Sequence, residues 1–165
     1  MIEKAGPIFD AKLASMFMDC LLRSDAPVTE MARLVKMIIR TLHTSPSPHL
    51  DPQYFRTVLP RYLRVLFQLS LDAKDDALAE SVLDQTLVLV RDAHQSSPPP
   101  YTYPNEEIQW MSTVGFNRAV EFYRASRDEE FQRWVEKAIA LADLIDGIHK
   151  GELGGLLRRN FARLT

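Results

Sequence analysis

The sequence predicts an all-α fold made of antiparallel helical hairpins. Two observations carry this. Apolar residues recur at helical spacing, and no convincing run alternates with period two. Proline-rich segments mark the breaks between helical stretches. At 165 residues, 46% of them apolar, the chain can bury roughly two thirds of its unfolded surface in one domain.

The same arithmetic narrows the function classes. Twenty basic residues face 22 acidic ones, so no global field draws the chain to nucleic acid or anionic lipid. A single cysteine, Cys20, excludes an intrachain disulfide and a cysteine-rich zinc site. It lies on an apolar helical face and is expected to pack as a small hydrophobe. No run of about 20 apolar residues is present to span a membrane. The N-terminus shows no secretory pattern, so a reducing intracellular setting is the expectation.

The first expected helix runs from Pro7 to Ser24, with Phe9, Leu13, Met16, Phe17, Cys20 and Leu21 on one face. The second runs from Thr29 to His43, with a basic stripe of Arg33, Lys36 and Arg40 that reads as a solvated face. Ser45-Pro46 and Ser47-Pro48 make the following stretch a loop. Asp51-Pro52 then suits a cap and first helical position, opening a helix to Leu71. Pro60 is expected to bend or split that helix. A fourth helix covers Lys74 to His94. Residues 95–104, with three consecutive prolines, separate this N-terminal block (1–94) from a C-terminal hairpin and terminal helix (105–165) within one repeat domain.

The C-terminal hairpin is the most informative part. Its first helix runs from Asn105 to Ser126 and its second from Asp128, read as an N-cap, to Asp146, with Gly147 as C-cap. A last helix follows Gly151. On the first of these, Ile108, Met111, Gly115, Phe116, Ala119, Val120, Phe122 and Tyr123 fill an apolar arc of roughly 180°, wider than one packing partner requires. That helix should touch neighbours on two sides, with Gly115 and Ala119 allowing close approach. Small residues at 115, 119 and 138 beside large ones at 122, 131 and 135 resemble a tetratricopeptide hairpin. The consensus is only partly met and no 34-residue period repeats, so the expectation is a degenerate α-solenoid fragment.

Three stretches are distinctive: Tyr103-Pro104-Asn105-Glu106-Glu107-Ile108-Gln109-Trp110, Phe116-Asn117-Arg118-Ala119-Val120-Glu121-Phe122-Tyr123, and Asp128 through Ala138 with its Arg133-Trp134-Val135-Glu136-Lys137-Ala138 end. Together they resemble the C-terminal region of the meiosis-specific Spo-twenty-two/Zip-four type tetratricopeptide family. Cys20-Leu21-Leu22-Arg23 and Arg61 through Phe67 look like its fungal branch. The resemblance implies a nuclear scaffold on meiotic chromosomes, binding crossover factors and synaptonemal complex central-element proteins. It places Phe116 and Asn117 on the aromatic-Asn pair tied to central-element recruitment. Proteins of that family are several times longer, so the resemblance covers their C-terminal portion only.

Trp110, Val114, Asn117 and Glu121 form one continuous helical stripe beside Phe116, and these five residues are the candidate partner-binding set. Phe116 fits a core position as well as a docking one. Trp110 fits a cover for a neighbouring helix as well as an anchor. Pro98-Pro99-Pro100-Tyr101 satisfies the pattern read by WW domains, although a plain linker accounts for it more simply. The histidines at 43, 49, 94 and 149 are scattered and show no metal-ligand spacing. Catalytic motifs are absent, so no cofactor, metal or reaction is expected. The expected function is a non-catalytic meiotic scaffold. The alternative is a generic adaptor for peptide segments outside meiosis.

Overall fold

The computed structural model describes the backbone from Pro52 to Gln95 and from Tyr103 to Thr165, side chains from Leu59 onward within those stretches, and nine separate positions between Met16 and Met37. Most of the first two expected helices, the Ser-Pro loop and the Pro98–Tyr101 segment lie outside the described residues. Within them, Met31, Arg33, Leu34 and Met37 are helical, and Arg33 is exposed. Cys20 and Met16 are also helical but exposed, so neither packs on the apolar face assigned to it.

Five helices are described in full: α1 (Pro52–Asp72), α2 (Asp76–Gln95), α3 (Asn105–Arg124), α4 (Asp128–Ala142) and α5 (Glu152–Leu164). The chain separates into two compact units, Met1–Ala79 and Glu80–Thr165.

In the first unit, α1 runs through Pro60 as a single helix, so of the expected bend or split the split does not occur. An interior proline costs about 3 kcal/mol through its missing N–H and its clash with the preceding turn. Leu59, Tyr62, Leu63, Leu66 and Phe67 are all buried around it, and each buried apolar side chain returns about 1.5–3 kcal/mol. Burial therefore outweighs the local penalty. The helix ends in a Schellman motif. Lys74 takes a left-handed φ of 57°, and the Asp75 amide donates to Ser70 O at 2.9 Å. The Asp75 carboxylate then accepts from the Leu78 amide at 3.1 Å, capping the start of α2.

The second unit holds an antiparallel hairpin of α3 and α4, with α5 packed against α4. The α3–α4 turn repeats the chemistry of the earlier one. Ser126 has φ of 58°, and the Arg127 amide donates to Phe122 O at 2.9 Å. The burial pattern recurs at the same offset that separates Lys74 from Ser126. Leu59, Leu63, Phe67 and Ser70 correspond to Met111, Gly115, Ala119 and Phe122, all buried. Ala79, Val82, Leu83 and Thr86 likewise correspond to Phe131, Trp134, Val135 and Ala138. The repeat is one of turn geometry and buried positions, with almost no shared residue identity.

Two expected boundaries are corrected. Arg127, not Asp128, is the N-cap of α4, and it makes no side-chain cap bond. Asp128, Glu129 and Glu130 instead fill the first turn, where the helix dipole favours carboxylates. The helix also stops at Ala142 rather than Asp146. From there the Leu144 and Ile145 amides donate back to Leu141 O and Ala142 O in tight turns. Gly147 is left-handed at φ 93°, but it serves the connection to α5 rather than the cap of α4.

The close approach assigned to Gly115 is present. A Cβ there would sit 3.8 Å from Ala138 Cβ on α4 and 3.8 Å from Leu83 Cδ2 on α2. α3 thus meets neighbours on two sides, as its wide apolar arc requires. Phe122 and Trp134 meet edge to face at 5.4 Å nearby. Along the rim, Arg133 and Lys137 of α4 reach Glu80 of α2, and Lys137 also reaches Asp84 at 2.9 Å. Burial pushes the Glu80 carboxyl up, but the Arg133 hydrogen bond and the charges of Lys137 and Arg133 hold it below its usual value.

Substituting Gly115→Ala should raise stability by about 0.5–1 kcal/mol, because the methyl meets ordinary contact distances and helix propensity improves. Gly115→Leu should instead lower it by about 1–3 kcal/mol through overpacking. Urea titration of both variants checks the contrast. Glu80 gives a second expectation. Its folded-state pKa lies below the unfolded value of 4.5, so its stabilisation is complete above that value and is lost as pH falls through the folded one. Glu80→Gln should therefore destabilise the protein at neutral pH and flatten the loss of stability between there and about pH 3.

Candidate functional site

The apolar surface of α5 shapes the site. Leu153, Leu156, Leu157 and Leu164 lie on one side of this helix, and Phe161 turns toward α4, meeting Phe131 in a tilted ring contact at 5.6 Å. The Phe161 contact sets α5 beside the hairpin without closing it onto α3. Between α3 and α5 a trough remains open.

The trough has two connected lobes that share Gln109, Leu153 and Leu156. The first, about 440 Å³, lies at the start of α3 and is lined by Asn105, Ile145, Asp146, His149 and Glu152 besides the shared residues. The second, about 590 Å³, is lined by Thr113, Phe116, Asn117 and Val120 of α3 and by Leu157, Asn160, Arg163 and Leu164 of α5. Its floor is apolar and its rims are polar.

Two pins hold the walls. Asn105 makes a paired contact with the Asp146 backbone: its side-chain amide donates to Asp146 O at 2.9 Å and accepts from the Asp146 amide at 3.3 Å. This ties the start of α3 to the segment leaving α4. At the other wall, the Arg158 guanidinium of α5 forks onto the Asp143 carboxylate, with one bond at 3.0 Å. That hydrogen bond and the Asp143 charge raise the pKa of Arg158 above its usual value. Gly154 lies directly beneath the fork, where any Cβ would collide with Asp143 Oδ1.

The five sequence candidates divide between two surfaces. Phe116 and Asn117 both line the trough. Phe116 is 5% exposed, and Asn117 is exposed on the rim beside it. Trp110, Val114 and Glu121 do not line it. Trp110 and Val114 are half-buried, and Glu121 is ion-paired with Arg118, whose guanidinium lies 4.6 Å above the Phe122 ring. The rim of α3 is instead Asn105, Gln109, Thr113 and Asn117, one residue round from the expected stripe at Gln109 and Thr113 and meeting it at Asn117. Asn160 and Arg163 of α5 are not among the five candidates. The repeating four-residue spacing of neutral polar side chains was available as a signal for the α3 rim. Nothing local marks the α5 wall, because its role depends on where α4 places it.

Among the described residues no three His, Cys, Asp or Glu side chains group to hold a metal ion, and no helix is long and apolar enough to cross a membrane. No protein-family model, curated protein or solved structure matches the chain.

Gly154 and its neighbour test the α5 pin. Gly154→Ala should displace the Asp143–Arg158 fork and lower the melting temperature by about 2–4 °C, the equivalent of about 1 kcal/mol. Gly155→Ala should be neutral or slightly stabilising, since its Cβ would meet only the Arg159 guanidinium at 3.5 Å. Circular dichroism melts of the two variants give the comparison.

Proposed function

We propose that this chain is a non-catalytic, tetratricopeptide-like interaction scaffold whose α3–α5 trough docks a partner protein. The observation that carries the reading is the pairing of an apolar floor at Phe116 with an exposed amide at Asn117 in one open trough. In a solenoid, successive first helices of each pair line the binding face. α3 is such a first helix, and α5 follows α4 in the position of the next one.

The partner class rests on the sequence. The stretches at 103–110, 116–123 and 128–138 resemble the Spo-twenty-two/Zip-four type family. The proposed partners are therefore crossover and synaptonemal complex central-element proteins, met on meiotic chromosomes in the nucleus. Asn117 is suited to specificity. Free in solution, its amide is hydrated at no cost. Covered by a partner that leaves it unpaired, it costs about 1–3 kcal/mol, so only a complementary partner docks well.

Affinity capture from meiotic cell extract, comparing wild type with Asn117→Asp, tests this. Crossover or central-element proteins should be recovered by wild type and reduced about tenfold by the variant, equivalent to about 1.4 kcal/mol. Because Asn117 is exposed, the helical circular dichroism signal should be unchanged. Chaperones or unrelated tails bound equally by both would overturn the meiotic reading in favour of a generic adaptor.

A further inference from the structure

The α3 rim carries four neutral hydrogen-bonding side chains at strict four-residue spacing: Asn105, Gln109, Thr113 and Asn117. Four residues of α-helix rise about 6 Å, so the row runs about 18 Å along the trough. An extended chain repeats its backbone orientation every two residues, about 6.6 Å. From Gln109 to Asn117 the helix rises about 12 Å while turning about 80°, and four residues of extended chain span about 13 Å. Asn105 already holds both the amide and the carbonyl of Asp146, and the Thr113 hydroxyl donates to Gln109 O at 2.8 Å, so Gln109 and Asn117 are the members of the row that face a partner. Asn and Gln amides both donate and accept, which matches peptide backbone and matches no charged side chain in particular.

A helical partner gains little from this row. Its backbone groups are satisfied internally except at its ends, and its flanks are served by charged rims. An extended segment leaves its backbone groups open, and its alternate side chains point down to the floor of Phe116, Leu153, Leu156 and Leu157.

Charge gives the trough a polarity. Its two lining carboxylates, Asp146 and Glu152, both stand at the Asn105 end, with His149 3.0 Å from Glu152 and His94 3.4 Å from Asp146. Its lining arginine, Arg163, stands at the opposite end with Asn117.

We infer that the trough takes an extended partner segment of about seven residues, held through its backbone by Gln109 and Asn117 of the row. Large apolar side chains of that segment alternate into the floor. A basic residue faces Asp146 and Glu152, and an acidic one faces Arg163. The inference rests on the docking role proposed above and specifies the conformation and chemistry of what docks.

Selection of displayed random peptides on the folded full chain tests it. The enriched sequences should alternate large apolar residues and carry Lys or Arg toward one end and Asp or Glu toward the other. Arg163→Glu should exchange acidic for basic preference at one end only. A selected peptide, synthesised and labelled, should lose affinity about tenfold when its backbone is N-methylated at the residues facing the row. It should also lose affinity to Asn117→Ala and, independently, to Gln109→Ala, each checked for unchanged helicity. Apolar residues enriched at three- and four-residue spacing, tolerance of N-methylation, or no enrichment would overturn it. Selection as expected, with no crossover factor captured from meiotic extract, would uphold this inference and remove only the meiotic assignment. Capture that depends on Asn117, with helical spacing in the selected peptides, would remove this inference alone.

Discussion

Backbone proximity at Gly115 underlies the arrangement of the C-terminal unit. The small residue there lets α3 lie against Ala138 of α4 on one side and Leu83 of α2 on the other, with room for a methyl but not for a large side chain. Two helices with bulkier residues at the crossing would stand further apart, at the upper end of the usual 8–10 Å separation. The close crossing lets Phe122 meet Trp134 edge to face and buries Ala119, Ala138 and Val135 almost completely. Those contacts fix α4. Fixed in this way, α4 presents Phe131 outward to Phe161, and that ring contact sets α5. The trough is thus a consequence of helix spacing three contacts away from its own lining.

Polar pins then settle what apolar contact leaves loose. Hydrophobic burial is non-directional, so it brings helices together without choosing their axial register. Glu80 meets both Arg133 and Lys137, and Lys137 also meets Asp84 one turn along α2, so the pairs fit one register of α2 against α4. Exposed ion pairs contribute little stability, about 0–1 kcal/mol each, so their value here lies in selecting that register. Asp143 with Arg158 and Asn105 with the Asp146 backbone do the same for the two walls of the trough.

Much of this was legible in the sequence. The helices follow from apolar spacing, and the 180° arc of α3 announced that it must have more than one neighbour. Gly115 was readable because a small residue in the middle of a buried arc has few other purposes. Other features depend on what is far away in the chain. The Pro60 penalty is local, but the burial that overcomes it is tertiary. Asp128 has the chemistry of a cap, yet the Schellman turn at Ser126 uses Arg127 as the last non-helical residue and moves Asp128 inside. The candidate site was half legible. Phe116 and Asn117 lie in the trough, whereas Trp110, Val114 and Glu121 lie on a neighbouring face. A step of one residue turns a helix by 100°, so a stripe read without its neighbour's position easily misses the wall by one residue.

The recurrence of the turn chemistry explains how so degenerate a repeat keeps its form. Lys74 and Ser126 share a left-handed backbone but no side-chain chemistry, and neither is the glycine such positions favour. What recurs is the hydrogen-bond closure, Asp75 to Ser70 and Arg127 to Phe122, followed by a helix with acidic residues in its first turn. The buried positions around each turn recur too, although Leu63 stands where Gly115 does and Thr86 where Ala138 does. Both of those positions are larger in the first helix pair than in the second, so the turn geometry recurs where the side-chain volumes do not. A repeat kept by turn geometry and burial leaves its exposed rims free to differ. On α3 that rim carries Gln109 and Asn117, while Asn105 and Thr113 on the same rim are engaged within the fold.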